Sequence, residues 1–199
     1  MIIISYFTIG YRLLAKQLEE SCKRFGLEYS IREMADTGSW NSNCGMKPTF
    51  IADMLAHFDE PVLWVDADAE IVAPLPRMRD CDMSYFRTRW NRNLSGCVYF
   101  QPTPMAFRFL KSWAGQIAAD PTITDEDGLT RALADPGDMK IDQLPPGMLY
   151  VFDLWPKQYR KVRPIILHKQ ASRAGARPGG VPTKLHDDVK RSKRELRGR

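Results

Sequence analysis

Apolar runs alternate with amphipathic stretches through the first third of the chain. Ile2 to Thr8 is β-branched and aromatic, which predicts a buried first strand closed by Gly10. From Tyr11 to Phe25 the residues Leu13, Leu14, Leu18, Cys22 and Phe25 recur at steps of three and four, the signature of an amphipathic helix, and Gly26 fits its C′ stop. Leu27 to Arg32 alternates as a second strand, and Asp36 to Gly45, polar and glycine-containing, predicts a loop. Pro48 opens a helix whose apolar face is Phe50, Ile51, Met54, Leu55 and Phe58. Pro61 to Asp66 is almost continuously apolar, as expected of a central strand covered on both faces.

The order then becomes mixed. Val72 to Pro76 is rich in breakers, while Met83–Arg87 and Cys97–Phe100 predict strands, the latter reached through Ser95-Gly96. A helix is expected from about Pro104 to Ala119 and a shorter one from Thr124 to Ala134, with acidic residues in its first turn where the macrodipole favours them. Ile141–Leu144, Leu149–Phe152 and Pro164–Leu167 predict short strands, the last delivering His168. Past Ser172 periodicity is lost, leaving a flexible tail with one short helix near Leu185–Leu196. These elements imply an α/β sandwich whose largely parallel sheet turns mixed in its second half. One domain over residues 1–173 and a basic tail over 174–199 are expected.

Composition narrows the class. A chain of 199 residues with a 44% hydrophobic fraction can bury one core without staples. The four cysteines are widely spaced with no C-x-x-C pair, which argues against a disulfide framework or a zinc finger. No stretch approaches the roughly 20 apolar residues that span a bilayer, and no basic segment precedes Ile2-Ile3-Ile4, so a cytoplasmic protein is expected. The net charge of +5 is uneven: residues 157–199 carry fourteen Lys/Arg against three Asp/Glu, leaving −6 for the remainder. A basic tail on an acidic body suggests a polyanionic partner.

The chemistry concentrates at Asp66-Ala67-Asp68. On extended chain these carboxylates lie on one side, about 6.5 Å apart, and a hard cation between them relieves their repulsion. In open α/β sheets ligands bind beyond the carboxyl ends of strands, where the triplet, Thr8 and His168 all fall.

The stretch from Lys47 to Pro74 resembles the core of GT-A-fold (Rossmann-like) nucleotide-diphosphosugar glycosyltransferases, glycogenin-like and related bacterial and phage-type enzymes. Ser95 to Phe100 resembles the family's strand beside the donor sugar. Trp113 matches a frequent tryptophan, Asp125 to Leu133 is similar to its helix that begins Asp-Gln, and Ile165 to His168 resembles its late histidine-bearing strand. The likeness runs to about residue 173. Glu126 stands where glutamine is usual, and the basic tail is not a family feature.

The resemblance implies Mn²⁺ or Mg²⁺ held by Asp66, Asp68 and His168, and a nucleoside-diphosphate sugar, a UDP-sugar first among them. It places Tyr6, Thr8, Lys47, Asp66, Gly96, Lys169 and Arg173 around the donor, with Thr8, and an aromatic platform from Tyr6 or Tyr11, at the base. Lys47 at a helix start would meet the diphosphate. Lys169, Ser172 and Arg173 would neutralise the leaving group. Asp125 or Asp127 would face the anomeric carbon, as general base if the enzyme inverts or as a positioning group if it retains.

The acceptor is read from charge alone. The tail, and Trp90 among Arg87, Arg89 and Arg92, suit DNA, which implies a hydroxylated base such as a hydroxymethyl base as acceptor. Lipopolysaccharide or another bacterial surface glycan is the rival. A nucleotide-sugar hydrolase, a nucleotidyltransferase and a non-catalytic basic module are the readings from other classes.

Overall fold

The computed structural model describes residues 1–151, 162–169 and 171. Six strands form the central sheet: β1 (Ile2–Phe7), β2 (Tyr29–Glu33), β3 (Val62–Val65), β5 (Met83–Arg87), β6 (Asn93–Phe100) and β7 (Ile141–Gln143). Their spatial order is β2-β1-β3-β6-β5-β7. Only β6 runs antiparallel to its neighbours, so β1, β2, β3, β5 and β7 all end at one edge. A separate two-stranded sheet pairs β4 (Ala69–Ile71) antiparallel with β8 (Ile166–His168).

The apolar pattern sorts cleanly between two faces. On one face Ile4, Trp64, Val98 and Phe100 pack against α3 (Lys47–Phe58), α4 (Pro104–Ala119) and α5 (Asp125–Ala132). On the other, Ile3, Leu63, Val65 and Tyr99 meet α1 (Arg12–Arg24) and the β4–β8 pair. The second outer layer is thus part helix and part small sheet, because β4 and β8 cover the area α1 leaves open.

Local signals account for the boundaries. α1 ends in a Schellman turn: Gly26, at φ 62°, donates its N–H to Lys23 O and Leu27 donates to Cys22 O. Leu14, Leu18 and Cys22 are its buried stripe, whereas Leu13 is 65% exposed and lies off the expected face. Thr103 caps α4, and Thr124 with Asp127 forms a capping box on α5. A Cβ at Gly128 would meet Ile117 Cγ1 at 2.6 Å, so only glycine lets α5 lie this close to α4.

Three segments differ from the expected pattern; the first is Ala69–Ile71, not read as a strand, which forms β4. Trp40–Gly45, read as loop from its polarity, forms the short helix α2, started by Ser39, whose hydroxyl accepts from Ser42 N–H. Leu149–Phe152, read as a strand, is instead a 3-10 turn over Pro146–Leu149 followed by a single bridge between Tyr150 and Leu167; Phe152 lies outside the described residues. The short-range apolar pattern could not tell a bridge from a strand. The tail beyond 173 and its expected helix also lie outside the described residues. All four cysteines are free. Among the described residues no helix is long and apolar enough to cross a membrane.

Candidate active site

A cavity of about 250 Å³ opens at the carboxyl edge of β1 and β3. β3 ends at Val65, and a turn closed by the Ala69 N–H donating to Asp66 O (3.0 Å) follows at once. Asp66 and Asp68 therefore converge through a turn, not through the side-chain alternation of an extended strand. β4 continues from that turn, and its register sets Ala69 opposite His168. One ligand atom each from Asp66, Asp68 and His168 lies within 4.8 Å of the others.

The surroundings of this trio fit a cation. Nε2 of His168 is buried with no hydrogen-bond partner among the described residues. Burial pushes the imidazole down to about 4, so it is neutral and ready to ligate at neutral pH. Burial, then the Asp66 charge, raises the Asp68 carboxyl to about 6. A Cβ at Gly96 would lie 3.0 Å from Asp66 Oδ2 and 3.3 Å from His168 Nδ1, so glycine keeps the cradle open. Two carboxylates and a neutral imidazole, with space for phosphate oxygens, suit Mn²⁺ or Mg²⁺.

Beside the trio lies a buried ionic chain. Lys47 Nζ is 2.5 Å from Asp125 Oδ2 and 3.1 Å from Asp66 Oδ1, and it donates to Ser95 O (3.3 Å) and Ser95 Oγ (3.2 Å). The Ser95 hydroxyl donates to the same Asp125 oxygen at 2.6 Å. Burial alone would depress the Lys47 ammonium, but Asp125 and then Asp66 hold it well above its usual value. Trp64 Nε1–H donates to Asp66 Oδ1 at 2.9 Å, and Trp113 Nε1–H donates to the Asp125 carbonyl at 2.9 Å, anchoring the start of α5. Asp125 Oδ1 has no partner among the described residues and belongs to the cavity wall.

The expected site residues divide accordingly. Tyr6, Thr8, Lys47, Asp66, Asp68, Gly96, Asp125 and His168 all line the cavity. Lys47, however, is buried and ion-paired, where an open diphosphate contact was expected. The Tyr6 ring packs at 5.1 Å from Phe50 and 5.0 Å from Trp64, and its hydroxyl donates to Asn43 O at 2.6 Å, so it belongs to the core more than to a stacking platform. Asp127 is turned away: its carboxylate accepts from Thr124 N–H (3.1 Å) and Oγ1 (2.7 Å) as the cap of α5. Lys169 also points elsewhere, bonding Gln17 Oε1 and lying 3.5 Å from Glu70, while its backbone N–H donates to Asp68 O. Ser172 and Arg173 lie outside the described residues.

Several wall residues were not singled out from sequence. Trp40 and Asn43 come from α2, the segment read as loop; Ser39 at its start was the available signal. Tyr11 and Trp40 are the aromatic rings on this wall besides Tyr6, Phe7 and Trp64, and Trp40 is 49% exposed.

Residues 19–186 match the pattern of the nucleotide-diphospho-sugar transferase family. The chain belongs to that family. The transferase is also similar in fold to a glycosyltransferase involved in glycosylation of the major capsid of PBCV-1. That likeness has a TM-score of 0.68 and 16% identity, covering 88% of this chain and 96% of the other. It resembles the glycosyltransferase GlyE of Streptococcus pneumoniae TIGR4 with a TM-score of 0.59 and 12% identity, covering 84% of this chain and 54% of GlyE. The transferase thus spans about half of GlyE. A comparison with curated proteins found no match.

Proposed function

We propose that the transferase moves a sugar from a nucleoside-diphosphate donor, a UDP-sugar, to an acceptor hydroxyl in a metal-dependent reaction, and that the acceptor is a hydroxylated base in DNA. The observation that carries the donor half is the convergence of Asp66, Asp68 and His168 beside the Lys47–Asp125 pair in one cavity. Asp66, Asp68 and His168 would hold Mn²⁺ or Mg²⁺, which supplies positive charge to the diphosphate as it leaves.

The chain's own residues account for the rest. The sugar–oxygen bond to the diphosphate breaks, a bond to the acceptor oxygen forms, and the acceptor hydroxyl proton passes to the oxygen of the departing diphosphate. Lys47 and Ser95 both donate to Asp125 Oδ2 and fix the carboxylate in one orientation on the cavity wall. A negative charge held there lies where positive charge develops at the sugar carbon, and because it is already oriented it needs no reorganisation. Thr8, Tyr11 and Trp40 form the wall assigned to the nucleobase. Gly96 gives the donor room beside Asp66.

Calorimetric titration with UDP and the other common nucleoside diphosphates, with and without Mn²⁺, tests the donor half. Metal-dependent binding lost in Asp68→Ala is expected; no binding by the native chain, or unchanged binding in the variant, would refute it. Asp125→Asn should keep nucleotide binding and lower turnover by about 100-fold or more. Nucleoside diphosphate release measured with hydroxymethylated DNA, and separately with lipopolysaccharide, tests the acceptor. Release stimulated only by the glycan would replace the DNA reading.

A further inference from the structure

A second cleft, of about 760 Å³, lies on the same edge of the sheet. Its walls are the loop before β5, the β5–β6 hairpin and the segment after β7. Phe86 and Leu144 form an apolar floor, and Arg77, Arg79, Arg87 and Arg89 stand around it. Asp142, the single acid on these walls, is taken by Arg79, with Nε 3.3 Å from Oδ2. Among the described residues Arg77, Arg87 and Arg89 have no carboxylate at ion-pair distance. Three uncompensated guanidinium groups therefore ring one apolar surface.

The hairpin tip adds an aromatic face. Trp90 is 55% exposed, and the Arg89 guanidinium sits 4.3 Å from its ring centroid. The tip is pre-ordered. Thr88 N–H donates to Arg92 O (2.8 Å), Asn91 N–H to Thr88 O (2.9 Å) and Arg92 N–H to Thr88 Oγ1 (3.0 Å), with Asn91 at φ 67°. Arg92 binds Glu126 at 3.2 Å and so ties the tip to α5, the helix that carries Asp125. A large aromatic held exposed on a rigid turn gives up little freedom on binding.

We propose that this cleft binds a single-stranded nucleic acid segment and presents it to the donor cavity. The inference rests on the transferase reading of that cavity. The two sites share a wall: Leu94, Ser95 and Gly96 of β6 line the donor cavity, while their partner strand supplies Phe86 and Arg87 to the cleft. Phosphates meet the arginines, and a base stacks on the Trp90–Arg89 pair, the combination by which single strands are held without sequence readout. A sulfated or uronic-acid chain would use the same arginines, but its sugars offer Trp90 only C–H contacts, where a nucleobase offers a full π-face. A cleft of this size matches a small-ligand site and takes a short single strand better than the side of a duplex.

The test is fluorescence anisotropy of a labelled mixed-sequence oligodeoxynucleotide of about twelve residues, within the usual site size for single strands, titrated with the full chain over a salt series. Arg77→Glu/Arg87→Glu should lower affinity at least tenfold and flatten the log–log salt slope by about 1.4, near 0.7 for each phosphate no longer neutralised. Trp90→Ala should lower affinity about tenfold with the salt slope unchanged. All three side chains are exposed, so melting temperatures should stay with the native chain. Oligonucleotide binding as in the native chain for both variants would overturn the proposal, as would no binding by the native chain. Displacement by dextran sulfate at equal charge together with an indifferent Trp90→Ala would overturn it in favour of an acidic glycan. Nucleoside diphosphate titrations on the same samples keep the readings apart: intact nucleotide binding with failed oligonucleotide binding refutes the cleft alone.

Discussion

Lys47 is the residue whose environment says most. Its side chain is about as buried as that of Asp125, and removing it leaves the Asp125 carboxylate buried with no cationic partner. Lys47→Met should therefore destabilise the protein by about 3–5 kcal/mol, read from urea midpoints, and Lys47→Met/Asp125→Asn should regain part of that stability. Unchanged stability in the single variant would show that the ion pair is not formed. Glu126 offers a second residue-level expectation. Burial, then the Asp125 charge, raises its carboxyl, with Arg92 opposing. A raised folded-state value favours folding only while the group is protonated, below the unfolded value of about 4.3, and this contribution is lost as pH rises through the folded value. Glu126→Gln should accordingly melt above the native chain at pH 7, with the gap closing near pH 4. A constant gap across this range would mean that the ionisation of Glu126 is not responsible.

At the scale of elements, the β4–β8 pair decides whether the trio exists at all. β4 has three residues, and its partner strand lies far along the chain. Ile166 is fully buried in the core beneath this pair. Ile166→Ala should cost about 2–4 kcal/mol by chemical denaturation. It should also weaken Mn²⁺ binding in the folded state, since His168 hangs on the same strand. Metal affinity that survives the fall in stability would separate the strand from the site. The capping box of α5 divides two residues that the sequence leaves alike. Asp125 and Asp127 sit two positions apart in one acidic helix start. Helical geometry turns one into the ionic chain and leaves the other bonded to Thr124.

At the scale of the molecule, charge is segregated. Residues 174–199 hold eight Lys/Arg against three Asp/Glu, so the first 173 residues are formally neutral. Deleting 174–199 should reduce oligonucleotide affinity and flatten its salt dependence while leaving nucleoside diphosphate binding unchanged, as calorimetry on both forms would show. Loss of nucleotide binding would instead make the tail part of the donor site. Most of the sheet, the three longer helices and the edge that carries the site were legible in sequence, because strand and helix periods are local properties of burial. The Asp66-Ala67-Asp68 triplet was visible for the same reason, an apolar strand that ends abruptly in acids, but its turn was not, because extended chain was expected there. The short α2 was missed because its polar composition resembles a loop, and with it Trp40 and Asn43. Sequence by itself determined the order of elements, the acidic strand end and the basic imbalance, all fixed by neighbours along the chain. Only tertiary structure decided that Lys47 closes on Asp125, that His168 reaches Asp66, and that Arg77 and Arg87 share one cleft. Those pairings depend on strand order and register, which bring together residues that no local pattern relates.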